Sequence, residues 1–414
     1  MQIPYTASFE RKIHFWLQQQ EEAILLDGNR YTYPHQPFRQ LMAAGKNRVS
    51  PDITWQETLK KKDPSAWWFG YLGYDLKGPA ENDGRPVFIN FPSWRFFEAD
   101  AVFERTGDFI SLKAAKPEEL AALIGSLPEY LPEEIRPLPA FHASKTREEY
   151  LEDVKSVHHL IREGDVYELN LCQYFETGEA PEGLDFYLAL NRAFPMPFSG
   201  WFRSGKYEIA SGSPERFLKK SGPELISQPI KGTARRGKTG EEDEANRLAL
   251  FHSEKERAEN MMIVDLVRND LARISVTGST TVEEMFGIYA FPTVFQMIST
   301  IRSVAEKNTE LPAIIDSAFP MGSMTGAPKT EVMKQISALE PFRRGAYSGA
   351  LGYFAPRGDF DFNVLIRSLF INKEEQKCGF AVGSAITIDS HPEEEWEECL
   401  TKAAALLKIC GSRV

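Results

Sequence analysis

The chain has 414 residues, 42% of them hydrophobic and 12% aromatic, enough to bury one large core or two smaller ones. Its 59 acidic against 48 basic residues leave a net charge of -11, which gives no basic footprint for nucleic acid and no pull towards anionic lipid, so a small molecule is the expected ligand. Cys172, Cys378, Cys399 and Cys410 form no CxxC pair, no apolar run approaches the roughly 20 residues that span a bilayer, and Glu10, Arg11, Lys12, Glu21 and Glu22 break any signal peptide at the start; a cytoplasmic protein is expected.

In chain order, residues 1 to about 125 mix short aromatic stretches with turns, and Ala66 to Tyr74 reads as a buried strand with glycines at bends. The four prolines between Leu127 and Pro139 mark a connection, which places a boundary near 140 between segments 1–140 and 141–414, the two expected to pack as one intertwined unit. Thr146 to Glu163 reads as a helix capped by Ser144 or Thr146 and ended by Gly164. Further helices are predicted at Glu242 to Ala272, at Pro328 to Leu339 with Pro341 as the stop, and at Pro392 to Ile409. Strand-like runs at Tyr207 to Ser211, Tyr347 to Ala355, Asp361 to Asn372 and Cys378 to Asp389 follow one another without a strand-helix rhythm. Antiparallel pairing and an α+β class are therefore expected.

Several groups could carry chemistry. In the Glu242 to Ala272 helix, Leu248, Phe251, Ala258, Met262 and Leu266 keep helical spacing and should face the core, with Glu256 and Glu259 one turn apart on a neighbouring face. Glu395 and Glu398 repeat the spacing in the last helix, so two helices could point carboxylate pairs at one place, as suits Mg²⁺; taken alone, such pairs are more often a solvated face. Lys231, in Gln228-Pro229-Ile230-Lys231-Gly232-Thr233, is either a surface hairpin lysine or a desolvated amine, which burial would favour in its neutral, nucleophilic form. Glu215 at a strand end is either an exposed turn carboxylate or a general acid with a raised pKa. Gly322 to Thr330 fails the phosphate-loop pattern, because two residues separate Gly326 from Lys329; it still offers backbone N–H groups to an anion, or is a plain helix start. Arg367, within the alternating run Asn363 to Leu369, calls for an anionic partner, a structural carboxylate or a ligand. The GxSxG and HExxH signatures of hydrolases are absent.

These pieces, in this order, resemble the chorismate-utilising family that includes anthranilate synthase component I, aminodeoxychorismate synthase component I, and the isochorismate and salicylate synthases. The resemblance covers essentially the whole chain and rests on Gly164-Asp165-Val166-Tyr167, Ser213-Pro214-Glu215-Arg216-Phe217, Pro229-Ile230-Lys231-Gly232-Thr233, Arg257-Ala258-Glu259-Asn260, Asp265-Leu266-Val267-Arg268-Asn269-Asp270, Gly326-Ala327-Pro328-Lys329 and Tyr347-Ser348-Gly349-Ala350. It implies an α/β sandwich of antiparallel sheets flanked by helices, with chorismate and Mg²⁺ held between. By position, it makes Glu259 and Glu398 the Mg²⁺ carboxylates, with Glu256 and Glu395 in support. Tyr347 and Arg367 match the pair that grips the enolpyruvyl carboxylate, Gly383, Gly232 and Thr233 the surroundings of the ring and its carboxylate, and Glu215 the acid that protonates the departing C4 hydroxyl. Lys231 stands where members resembling anthranilate synthase have alanine and aminodeoxychorismate synthases carry lysine, so the resemblance implies a lysine adduct at C2 and ammonia added at C4.

Two positions depart from the family pattern. Glu168 stands where relatives often have glutamine, or a lysine base, and either deprotonates a nitrogen nucleophile or only hydrogen-bonds, the second being expected. Gln296 stands where many relatives have a histidine associated with pyruvate elimination, in keeping with a product that keeps its enolpyruvyl group. The chain lacks a Gly-x-Cys-x-Gly nucleophile, so a separate glutamine amidotransferase is the expected source of ammonia, and a further enzyme the expected lyase.

Overall fold

The computed structural model describes residues 1–46, 53–77 and 84–413. Helices pack against an antiparallel β system of largely buried strands, so the α+β expectation holds. Strands from the amino-terminal segment are built into the same sheet as later ones: Glu22–Asp27 pairs with Phe198–Ser204, and Trp68–Leu72 with Ala350–Phe354. The second pairing places Gly70 opposite Gly352, where a β-carbon on Gly70 would meet the Arg95 carbonyl oxygen. The aromatic run at 66–74 is thus a buried strand, as its composition suggests.

Two large apolar clusters and a small third one result among the described residues. Trp68, Phe69, Phe96, Phe202, Leu351 and Phe362 belong to the first, joined by Ile263 and Val267 of the Glu254–Ala272 helix. Tyr150, Val154, Val157, Trp396, Cys399 and Ala403 fill the second, where the helices Arg147–Glu163 and Pro392–Cys410 cover the strand pair Glu168–Thr177 and Lys377–Ile386. Each fully buried large apolar side chain contributes roughly 1.5–3 kcal/mol. Helix ends follow their local signals. Thr146 caps Arg147–Glu163 through a reciprocal box with Glu149, and Gly164 ends it at φ 84°.

Two predicted elements are divided. The single helix expected over Glu242 to Ala272 is two, Gly240–His252 and Glu254–Ala272, because Ser253 adopts an extended conformation and caps the second by accepting from the Glu256 N–H. The break shifts the helical phase. Leu248 and Phe251 are therefore exposed, and the core-facing residues are Glu259, Asn260, Ile263, Val264 and Val267 rather than the series read from spacing. The run Asp361 to Asn372 is likewise two strands, Phe360–Asn363 and Ser368–Asn372. Arg367 lies in the break between them at φ 50°, a left-handed conformation uncommon for a side-chain-bearing residue. Among the described residues no helix is long and apolar enough to cross a membrane, and the four cysteines are free and buried.

Candidate active site

Lys231 comes from the strand Ile230–Arg235, whose ladder with Val294–Val304 shifts register between Ile230 and Thr233. Gly232 takes φ 98° within that shift. Such a bulge re-aims a side chain, and here it delivers Lys231 to the interior at 8% exposure. The hairpin reading is thereby excluded. Lys231 Nζ donates to Glu168 Oε1 at 2.6 Å, and Glu168 is fully buried at the start of the strand Glu168–Thr177. Burial alone would favour a neutral amine, but Glu168, then Glu259, with Glu215 further down the order, outweigh it and hold Lys231 above its ordinary range. The expectation that burial leaves the amine neutral is corrected: the carboxylate that faces Lys231 raises its affinity for a proton above the ordinary lysine range.

Glu215 lies between the strands Tyr207–Ser213 and Arg216–Ser221 and is buried. Its Oε1 accepts from Ser323 Oγ at 2.6 Å. Desolvation pushes its carboxyl up from 4.5 to about 7, against the opposing pull of Ser323, Lys231, the Ile230 N–H and Arg367. The Arg367 carbonyl accepts from the Gly212 N–H, but among the described residues its guanidinium makes no hydrogen bond or ion pair; burial lowers it to about 10, against the pull of Glu215. No carboxylate of the described residues pairs with it directly, which leaves its donors for an anion from outside.

The remaining predicted residues fall into two groups. Glu256 and Glu259 sit on the first two turns of the Glu254–Ala272 helix. A β-carbon on Gly232 would stand 3.1 Å from Glu256 Oε2. Burial raises both carboxyls, that of Glu259 to about 7, with Glu256 and Glu168 adding repulsion there. Glu398, half-exposed on the last helix, adds to the repulsion on Glu256, while Lys402, 2.5 Å away, outweighs its own burial and keeps it below the usual carboxylate range. Glu395 is buried and accepts from Ser384 Oγ. Glu256 and Glu259 ionise at a cost, which a hard cation relieves, and Glu398 offers a further carboxylate oxygen, so the donor set fits such an ion. As they stand, no three His, Cys, Asp or Glu among the described residues are gathered closely enough to hold a metal. Beside them opens a cleft of about 550 Å³ lined by Thr233, Arg235, Lys238, Asn246, Ser253 and Glu256.

The second group lies along the Glu168 strand. Gly383 faces Cys172, and a β-carbon there would stand 2.3 Å from Asn170 Oδ1, so a side chain would displace the Asn170 amide. Its carbonyl accepts from Lys402 Nζ at 2.7 Å. Tyr347 is buried with its hydroxyl 3.8 Å from Cys172 Sγ. Asn170 Nδ2 reaches the Ser323 carbonyl at 3.3 Å, which ties this group to the residue that holds Glu215. Gly326 is not a phosphate loop residue: with Ala327 it forms a short strand against Glu168 and Leu169, where its bare α-carbon lets the two backbones close.

Sequence reading missed the residues that fix this arrangement. Arg344, fully buried, donates to both oxygens of Glu340, to the carbonyls of Met324 and Asn170, and to Ser348 Oγ. Glu340 in turn accepts from the Cys172 N–H and the Tyr174 hydroxyl. Asn260 Nδ2 donates to the Lys231 carbonyl at 3.3 Å, while its Oδ1 accepts from Ser299 Oγ at 2.6 Å. A buried arginine beside a glutamate one turn away was a visible signal for Arg344; nothing local marked Ser323 or Asn260.

A buried acid, a buried amine–carboxylate pair and neighbouring carboxylates thus sit together in an antiparallel α+β fold. Residues 10–408 match the chorismate binding enzyme family, and the chain belongs to it. It is 36% identical to the chloroplastic aminodeoxychorismate synthase of Arabidopsis thaliana, over 84% of this chain and 41% of that protein. It is 38% identical to aminodeoxychorismate synthase component 1 of Escherichia coli K12, over 65% of this chain and 59% of that one. The chain thus spans less than two thirds of these relatives. Anthranilate synthase component I from Streptococcus pneumoniae has the same fold, with a TM-score of 0.77 over 94% of this chain and 92% of that one at 24% identity.

Proposed function

We propose that the protein converts chorismate and ammonia to 4-amino-4-deoxychorismate, acting as component I of an aminodeoxychorismate synthase on the route to 4-aminobenzoate and folate. The observation that carries this reading is the buried Lys231 amine, set among Glu168, Glu259 and the raised acid Glu215. Arg367, whose guanidinium has no hydrogen-bonded carboxylate among the described residues, takes the enolpyruvyl carboxylate, and Tyr347, whose hydroxyl lies 3.8 Å from the Cys172 thiol, supports it. Gly232, Thr233 and Gly383 leave room for the ring and its carboxylate. Lys231, as the free amine, attacks C2; the C1–C2 double bond moves to C1–C6, the C5–C6 double bond to C4–C5, and the C4–O bond breaks as Glu215 gives its proton to the departing hydroxyl. Ammonia then adds at C4, the two double bonds shift back, and the lysine leaves C2.

Glu259 and Glu398, supported by Glu256 and Glu395, would hold Mg²⁺, which when bound offsets the charge of the ring carboxylate. A separate glutamine amidotransferase supplies the ammonia in the cytoplasm. The test mixes the protein with chorismate, Mg²⁺ and ammonium chloride and follows products by mass spectrometry. Aminodeoxychorismate is expected, with turnover lost by roughly a thousandfold or more in Lys231→Ala. Fluorescent anthranilate formed without a lyase, or product formed without ammonium, would reject the reading.

A further inference from the structure

A pocket of about 290 Å³ that shares no residue with the active site opens between the helices Ala7–Gln18 and Gly183–Ala193 and the connection that follows Leu127. Arg11, His14, Tyr130, Pro132, Leu188 and Arg192 line it together with Asn191. His14, one turn beyond Arg11 on the first helix, is only 9% exposed, and among the described residues neither of its ring nitrogens has a hydrogen-bond partner, although the ring borders the pocket. A polar group set so deep is normally paired, and an unpaired one facing a cavity has room for a partner from outside. Burial, opposed by Glu10 and assisted by Arg11, lowers the imidazole to about 4, so near neutral pH it presents one N–H donor and one acceptor nitrogen.

The other polar groups of the pocket divide into occupied and free. Tyr130 donates its hydroxyl to Asp185 Oδ1 at 2.5 Å, and Asn191 is closed in a reciprocal pair with Asn29. Arg11 commits Nε to Glu129 Oε2 at 2.6 Å, which leaves its terminal nitrogens. Arg192, exposed in the last turn of its helix, has no hydrogen bond or ion pair among the described residues. No carboxylate of the described residues lines the pocket, so its charged groups are all cationic. The walls between them are apolar: Leu188, the Pro132 ring and the Tyr130 ring. An inorganic anion would match the cations and leave those walls uncovered, whereas a neutral ring would cover the walls and leave the cations unmatched. We propose that this pocket binds a small carboxylate with a flat apolar body, its charge on Arg192 and Arg11, its body against Tyr130, Pro132 and Leu188, and its inner polar edge on His14. The site is separate from the one that handles chorismate and does not depend on the function proposed above.

Isothermal titration calorimetry with 4-aminobenzoate tests this, because that probe carries a carboxylate at one end of a flat ring and an N–H donor at the other. A Kd of about 1 mM or tighter is expected for a ligand of this size. Arg192→Gln should weaken binding by about 10- to 100-fold, the worth of a charged hydrogen bond, and since Arg192 is exposed its loss should leave urea unfolding unchanged. Leu188→Trp, which fills the pocket, should abolish binding. Arg367→Met, which removes the active-site guanidinium, should leave it intact. The neutral 4-aminobenzamide and inorganic phosphate should each bind at least about tenfold more weakly than 4-aminobenzoate. The proposal fails if the parent protein does not bind the probe, if Arg192→Gln binds it as well as the parent does, or if the amide or phosphate binds equally well. Binding lost in Arg367→Met and kept in Arg192→Gln would place the probe in the chorismate site and overturn the proposal too.

Discussion

Glu215→Gln should make the protein more stable at alkaline pH while stripping it of activity. Burial holds the Glu215 carboxyl near 7 against an ordinary 4.5. The folded state therefore grips this proton more tightly than the unfolded chain does. The stability linked to it is fully present below about pH 4.5 and is lost as pH rises through about 7. At about pH 8 an ionised Glu215 costs the fold about 3 kcal/mol, from about 1.4 kcal/mol for each tenfold difference in proton affinity. Glutamine keeps the shape and can still accept from Ser323, but it cannot ionise. Urea unfolding of parent and variant at about pH 4.5 and about pH 8 isolates the charge: the stability difference should move by about 3 kcal/mol in favour of the variant between the two. Any constant offset from repacking cancels. A difference independent of pH would show that Glu215 is not a destabilising buried acid and would remove the basis for its role as proton donor. The same variant should lose about 10²- to 10⁴-fold in turnover, the stability having been given up for a carboxyl that stays protonated near neutrality.

Two further outcomes follow from partners already described. Glu340→Gln leaves the fully buried Arg344 guanidinium without its carboxylate and should cost about 3–5 kcal/mol in unfolding free energy; replacing both residues by apolar ones should recover much of that loss, and an unaffected single variant would contradict the network. Arg367→Met should raise the KM for chorismate by about 10- to 100-fold, the worth of about 1.5–3 kcal/mol for charged hydrogen bonds, with unfolding stability unchanged or increased because no protein partner is lost. A marked fall in stability would mean that Arg367 is structural.

What could be read in the sequence and what could not divide along a physical line. Thr146 with Glu149 and Gly164 announced their helix because caps are built from residues three or four apart. The strand from Trp68 to Leu72 showed in its own aromatic composition. Arg367 was placed in a strand because alternation continued through it, although a backbone break with a positive φ interrupts the ladder there. The helix break at Ser253 was hidden for the opposite reason: serine is tolerated in helices, and only its extended backbone reveals it as a cap. Residue types at the site were legible, yet the charge on Lys231 was not. Its proton is governed by Glu168, 63 positions away, and the acidity of Glu215 by desolvation together with Ser323, 108 positions away. Such long-range pairs exist only once strands from distant segments are in register. It follows that the departure at Glu168 is not a neutral variation on a glutamine. A carboxylate opposite a buried lysine raises the proton affinity of that amine, whereas a glutamine would leave it to burial and to Glu259.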